Sequence, residues 1–531
     1  MGNYYGDLRE YIRVLEKEGK LVRIKREMNK DTNLMPLVRW QFRGLPEKER
    51  KAFLFENIVD VKGRKYPMPA LVAGHAASRD VYALAMGCKP EEIMSRWEQA
   101  QLHPIEPEMV SQGPVHEEIH RGDKLVEHGG LEEFPVPIST AGFDNAPYLT
   151  CANWVTKDPE TGIRNMGNYR AMIKSKTRTG VLVKGAQHLR IHWEKCRRKK
   201  IPLQAAIVIG GTPNIGLVGV TKLPYGLDEY AVAGGIAGEP LKLVKCLTVD
   251  LEVPNTAEIV LEGEIPTDSM EREAPFGEFP GYIGSESMSP YFNITCITHR
   301  KNPIYTAFIS QFPPSESSKL RGVGLEAALA KFLRHSCNIP GILDVVLHEA
   351  CGSHGYCVIQ MKKYYPGQVW QALDGVVAYA VGSPKVIVAV DEDIDPRDPD
   401  SVNWALSFRM QPHRDTKVTM GKAMSLDPSL APSTASYEEQ RYPWPNGGSA
   451  LLIDATLKWP YPPTALPKRE FMEDAKRIWE ELGLPRLDPK VPWNGYSLGY
   501  WTEENALEAD LALKGEHFQT GEKLAKGRVK V

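Results

Sequence analysis

The chain has 531 residues, 42% hydrophobic and 25% charged, the make-up of a globular protein with room for two or three domains. Its 65 Lys and Arg against 67 Asp and Glu leave a formal net charge of −2, so no cationic surplus marks a nucleic-acid surface. Apolar runs such as AAIVIG (205–210) and KVIVAV (385–390) have the length of buried strands, far short of the roughly 20 residues that cross a bilayer, which argues against a membrane protein.

Residues 7–18, DLREYIRVLEKE, place Leu8, Tyr11, Ile12 and Leu15 on one helical stripe, with Asp7 as N-cap and Gly19 as the stop. The strand-like LVRIK and LFENIV and the helix-like RDVYALAMG follow, so residues 1–112 read as an α/β segment. From 113 to 312 short β-branched runs recur between Gly, Pro and Asn turns (VLVKG, AAIVIGG, CLTVDLEVP, EIVLEGEIP, NITCITH), the pattern of a β barrel. A linker helix at LEAALAKFLRHS then leads into alternating strands and helices, an α/β domain completing residues 313–435. The extension 436–531 is rich in Pro and Trp and carries the amphipathic KREFMEDAKRIWEELG, whose apolar stripe is a candidate oligomer contact.

The N-terminus has no basic stretch followed by an apolar one, and the eight cysteines form no CxxC pair. Both features suit a reduced cytoplasmic protein. CGSHGYC (351–357) lacks a second Cys pair and reads as ordinary thiols rather than a zinc clasp. GGTPNIG (210–216) lacks the Lys-Ser/Thr of a P-loop and reads as a tight strand-ending turn.

Two polar groupings stand out in the β region. Asn165, His188 and Glu229 offer an amide oxygen, an imidazole and a carboxylate, a mixture suited to Mn²⁺ or Mg²⁺ rather than zinc. On spacing alone such scattered residues read as structural, with a shared metal site as the sharper alternative. EREAPFGEFPGY (271–282) holds Glu273 and Glu278 at the ends of a stiff Ala-Pro-Phe-Gly turn, either a charged surface loop or a fixed pair of acids.

NMGNYR (165–170), Gln187-His188, LPYGLDEYAVAGG (223–235), VPNTAEIVLEG (253–263), EAPFGEFPGY (273–282) and VDEDID followed by WALSFRMQPHRD (404–415) occur in an order that closely resembles the UbiD family of reversible (de)carboxylases using prenylated FMN. The resemblance runs from the first helix to about residue 435; the extension is more loosely similar to members acting on aromatic acids. It implies an α/β, multidomain fold: an N-terminal α/β segment, a central split β-barrel flavin-binding domain, a linker helix, and an oligomerising C-terminal α/β domain with a helical extension. It also implies that Asn165, His188 and Glu229 bind a divalent metal, usually Mn²⁺, that clamps the cofactor phosphate, with K⁺ nearby in many members. Asn168, Tyr169, Arg170, Leu182, Val183, Lys184 and Gln187 fall where the family contacts its flavin, and Arg170, Glu273 and Glu278 fall on its catalytic Arg-Glu-Glu network.

Losing CO₂ from an sp² carbon leaves electron density with no stable home, which is why a cofactor must act as electron sink while the protein controls the proton. Two acids beside one arginine, once dry, are not both charged at low cost, so one can hold a proton for delivery; Glu278 is the candidate donor. The resemblance further implies an aromatic acid and CO₂ as substrate and product, a flavin prenyltransferase as cofactor supplier, and a homo-oligomer, dimeric or hexameric.

Three positions depart from the family pattern. Ala274 stands where Gly is commoner, which predicts ordinary backbone angles there. The AYAVGSPK stretch lacks a Lys that some fungal members direct at the cofactor phosphate, leaving Lys184 or another cation for that role. A hydroxyl that helps bind K⁺ is replaced near Gly219. Two other function classes remain open at this stage: an FMN-dependent oxidoreductase on a split barrel, which would not need the two acids, and a non-catalytic subunit of a multi-subunit carboxylase.

Overall fold

The computed structural model describes residues 4–183, 187–284, 286–379, 382, 384–422, 426–430, 448–488 and 498–529. The first helix spans Leu8–Lys17; the Asp7 carboxylate accepts from the Glu10 backbone N–H at 2.9 Å, and Leu8, Tyr11, Ile12 and Leu15 are all buried, as the stripe predicts. The N-terminal sheet runs in the order Leu21–Ile24, Ala52–Phe55, Ala70–Val72 and Tyr305–Ala307. Its last strand comes from the far end of the central unit, so the two units share a sheet. One apolar core, from Tyr4 to Ala327, joins them.

The central sheet runs Arg164–Asn168, Asn153–Lys157, Leu203–Ile209, Ile259–Ile265, Tyr291–His299, Arg178–Gly180, Ala171–Ser175 and Tyr148–Leu149, with Glu118–Arg121 also paired to Tyr291–His299. The pairings along this path are antiparallel. Arg164–Asn168 and Ala171–Ser175 lie near opposite ends of the order yet are separated in the chain only by Tyr169 and Arg170. The sheet must therefore curl until its two ends meet. The Tyr169 N–H bonds the Ala152 carbonyl at 3.2 Å, and the Asn168 side chain donates to the Thr150 carbonyl at 3.0 Å, across that seam.

The linker helix, Glu316–Lys331, begins earlier than its apolar pattern suggests because Ser315 caps it, accepting from the Ser318 N–H at 3.3 Å. Beyond it a five-stranded sheet runs Ile342–Leu347, Tyr356–Met361, Val386–Asp391, Gly448–Asp454 and Thr416–Lys422. Gly448–Asp454 sits inside this sheet, so the C-terminal sheet takes a strand from beyond residue 435. The helices Arg469–Glu481, Glu503–Leu513 and His517–Lys526 bury no side chain, and Phe471, Ile478 and Leu482 lie exposed. Among the described residues no helix is long and apolar enough to cross a membrane. All eight cysteines are free thiols.

Candidate active site

The seam of the barrel carries Asn168, Tyr169 and Arg170, because the chain steps there from one sheet end to the other and cannot continue either ladder. Arg170 is buried. Its Nε donates to Glu273 Oε1 at 3.0 Å and its Nη2 to Glu273 Oε2 at 2.6 Å, a bidentate fork, while Nη1 donates to Glu278 Oε1. Glu273 is wholly buried and Glu278 nearly so, which rejects the surface-loop reading of this stretch. Burial works against the charge on Arg170, but Glu278 and Glu273 outweigh it and hold the guanidinium above its ordinary pKa. The rings of Phe276 and Tyr148 lie 4.9 and 5.8 Å from the guanidinium carbon and keep it dry.

The turn between the acids is fixed by residues that the sequence did not single out. Asp144 accepts from the Gly277 N–H at 2.8 Å and the Thr140 N–H at 2.6 Å; the Asn145 amide donates to the Ala274 carbonyl at 2.8 Å. Burial raises the Asp144 pKa to about 6 despite those donors. A Cβ on Gly277 would come within 2.0 Å of Thr140 Oγ1, so only glycine fits there. The expectation of ordinary backbone angles at Ala274 is overturned: its φ is +83°, in the left-handed region that favours glycine. Its carbonyl hydrogen bond and full burial hold it there, and strain of this kind commonly marks working sites.

Around the seam the second grouping also comes together. His188 opens the helix His188–Lys199, and its Nδ1 lies 2.8 Å from Asn165 Oδ1. Glu229 opens the helix Glu229–Ala237 and accepts from the Met166 N–H at 2.8 Å, which sets it beside the same strand. Burial raises the Glu229 pKa to about 8, and among the described residues no Lys or Arg forms an ion pair with it. A buried carboxylate without a cation, next to an amide and an imidazole held neutral by burial, is a donor set that fits a divalent metal.

The surroundings fit an anionic, polar cofactor as well. Thr150 Oγ1, Asn153 Oδ1 and Asn168 Oδ1 are buried and find no hydrogen-bond partner among the described residues. Arg321, from the linker helix, stacks 4.5 Å from Phe279 and senses both Glu278 and Tyr169, linking the acid pair to the metal side. Lys222 and Lys422 complete a positive group with it: burial, then Arg321, lowers Lys222, which opens to solvent yet sits among many protein atoms, and burial, then Lys222, lowers Lys422 to about 8. Arg321 beside Lys222, and Lys222 beside Lys422, make a positive group suited to a phosphate, the role left open for Lys184 or another cation. Lys184 itself lies outside the described residues. Leu182 runs alongside Arg170, its N–H facing the Arg170 carbonyl at 3.4 Å, Val183 next to it is buried, and Gln187 stands at the N-cap position of the His188 helix. At the expected K⁺ position a Cβ on Gly219 would meet Asn153 Oδ1 at 2.5 Å, so that amide fills the space of the missing side chain. A basic residue on an otherwise buried helix was the one signal in the sequence that could have picked out Arg321.

The chain matches the 3-octaprenyl-4-hydroxybenzoate carboxy-lyase N-terminal domain over residues 12–101, the Rift-related domain over 108–313 and the C-terminal domain over 319–455. An uncharacterised protein of Aquifex aeolicus is 32% identical, covering 91% of this chain and all of its own. Among solved structures, the UbiD-class enzyme HmfF from Pelotomaculum thermopropionicum, in complex with FMN, matches with a TM-score of 0.74 and 30% identity over 85% of this chain and 94% of its own. The closed form of vanillic acid decarboxylase from Sedimentibacter hydroxybenzoicus matches with a TM-score of 0.76 and 27% identity over 91% and 99%. Fold and family together define a carboxy-lyase. The chain belongs to the UbiD family.

Proposed function

We propose that the protein catalyses the reversible decarboxylation of an aromatic carboxylic acid with prenylated FMN, using Arg170, Glu273 and Glu278 as its proton-handling network. The observation that carries this reading is the buried Arg170, forked onto Glu273 with Glu278 on its remaining edge. The cofactor, when bound, supplies the electron sink for the bond to CO₂. Asn165, His188 and Glu229 would hold the divalent metal, Mn²⁺ or Mg²⁺, that ties down its phosphate, with Lys222, Arg321 and Lys422 neutralising the remaining charge. Asn168, Tyr169, Leu182, Val183 and Gln187 would line its ring system.

The protein's own part is proton control. Glu273 is committed to Arg170 through two hydrogen bonds and stays the ionised partner. Arg170 gives Glu278 one N–H against the two it gives Glu273, and Glu278 is the acid assigned to carry a proton and to deliver it to the carbon that CO₂ has left. The aromatic walls of Phe276 and Tyr148 exclude water that would otherwise quench that carbon. The substrate is a hydroxybenzoate-like acid, a polycyclic aryl acid or an aryl-CoA thioester, and the functional unit is a homo-oligomer in which the exposed stripe of Arg469–Glu481 is covered.

Co-expression with a flavin prenyltransferase, followed by absorption spectroscopy and a CO₂-release screen over aromatic acids, tests the proposal. The expected result is a bound modified flavin and CO₂ from at least one acid. Bound unmodified flavin that exchanges hydride with a nicotinamide would replace it with the oxidoreductase reading.

A further inference from the structure

Away from the seam, at the His299 end of Tyr291–His299, a second group of ligating side chains converges. His120 lies on Glu118–Arg121, the strand paired antiparallel to Tyr291–His299 with His120 opposite Ile297. His299, two residues further along, is therefore its diagonal neighbour on the same face. The chain then turns through the short helix Asp123–Glu127, which delivers His128, and the turn Gly130–Glu133, which delivers Glu133.

We propose that His120, His128, Glu133 and His299 form a metal site, separate from the cofactor metal, that takes one zinc-class divalent ion and staples residues 118–133 to the end of the barrel strand. One ligand atom each from His120, His128 and Glu133 lie within 4.8 Å of one another. His299 Nε2 is 2.9 Å from His120 Nε2 and 3.5 Å from Glu133 Oε1, and His128 Nδ1 is 3.3 Å from Glu133 Oε2. Tetrahedral zinc with bonds of about 2.0–2.1 Å sets its ligands about 3.3 Å apart, so loading must part His120 and His299 slightly and draw His128 inward. The exposed His128 ring, tilted over His120 with the ring centroids 3.7 Å apart, has room for that movement.

Three details favour a metal over plain packing. His299 Nδ1 faces the Arg300 carbonyl at 2.8 Å, which puts its proton there and leaves the Nε2 lone pair aimed into the cluster, the arrangement by which a backbone carbonyl orients a ligating histidine. Glu133 Oε2 is buried with no hydrogen-bond partner, and among the described residues the ion-pair partners of Glu133 are His128 and His299 alone. His120 is itself buried, with its Nε2 facing His299 Nε2 across 2.9 Å, two ring nitrogens that a shared ion would join. Without metal, the His120 Nε2–H donates to His299 Nε2; on loading, that proton moves to His120 Nδ1 and both lone pairs meet the ion. Three imidazoles and one carboxylate suit zinc better than Mn²⁺ or Mg²⁺, which prefer oxygen.

The test uses the full chain without a histidine tag, stripped with chelator, titrated with zinc and counted for metal after desalting. It is run on His188→Ala, to remove the cofactor site, and on the same variant with His128→Ala, a surface change that spares the fold. One zinc per chain in the first, lost in the second together with a zinc-dependent rise in melting temperature, supports the site; cobalt(II) in its place should give the intense visible bands of four-coordination. No retained zinc in His188→Ala, or equal stoichiometry with and without His128, overturns it. If His188→Ala does not fold, His128→Ala is compared with the unaltered chain: a deficit of one zinc supports the site, and no difference overturns it.

Discussion

Arg170 and its two acids show how little a buried ion pair has to do with net stability and how much with position. Taking Arg170 and its ionised partner Glu273 out of water costs several kcal/mol each, and their attraction does little more than offset it; removing one partner, however, leaves an uncompensated buried charge. Arg170→Met should therefore destabilise the fold by about 3–5 kcal/mol, read as a drop in denaturant midpoint, whereas a surface arginine lost in the same way would cost under about 1 kcal/mol. Ala274 offers the opposite test. A left-handed alanine costs about 1–2 kcal/mol, and glycine returns part of that through its freer unfolded chain, so Ala274→Gly should leave the protein as stable or up to about 1 kcal/mol more so by the same measurement. Asp144 gives a pH signature. Its folded pKa, about 6, lies above the ordinary carboxylate value near 3.9, so its stabilising contribution is complete below about pH 4 and is lost as pH rises through 6. Melting temperatures of Asp144→Asn should lack that segment of the wild-type pH profile.

Among the elements, the first helix was fully legible because its signal is local: a cap, a stripe at 3.6-residue spacing and a stop lie within one short stretch of chain. The linker helix was half legible. Its apolar face was plain, but Ser315 and the buried Glu316, Lys319 and Glu326 near its start and middle do not read as interior residues. Each is matched in the fold: Glu316 accepts from the His75 and Ile309 N–H groups at 2.8 and 3.2 Å, and Lys319 pairs with Glu47 at 2.7 Å. Ser315→Ala should cost about 1 kcal/mol through the lost cap, measured by thermal or denaturant unfolding. The barrel strands were recognisable one by one, but not the seam. That two strands adjacent in the chain sit near opposite ends of the sheet is a property of closure, which no local window contains. The contact between Arg170 and Glu273, 103 residues apart, was likewise visible only through resemblance to a family, and Asp144 and the trio of Lys222, Arg321 and Lys422 not at all.

At the scale of the molecule, one core welds the N-terminal segment to the barrel, and the linker helix carries Arg321 from the C-terminal side to the acid pair. The seam is therefore walled by residues from both sides, and its cofactor should act as a structural member. Chelating the divalent metal from the loaded protein should release flavin and lower the melting temperature together, since a ligand bound only to the folded state stabilises it by mass action. Loss of metal with flavin fully retained would separate the two. The central claim is that Glu278, held beside Arg170 and Glu273, returns the proton. It is tested most directly in heavy water, with equal cofactor loading in the unaltered enzyme and in Glu278→Gln, by following CO₂ release and deuterium at the carbon that lost it. The account predicts deuterated product from the unaltered enzyme and a fall in turnover of about 100-fold or more in the variant; turnover undiminished in Glu278→Gln would contradict it.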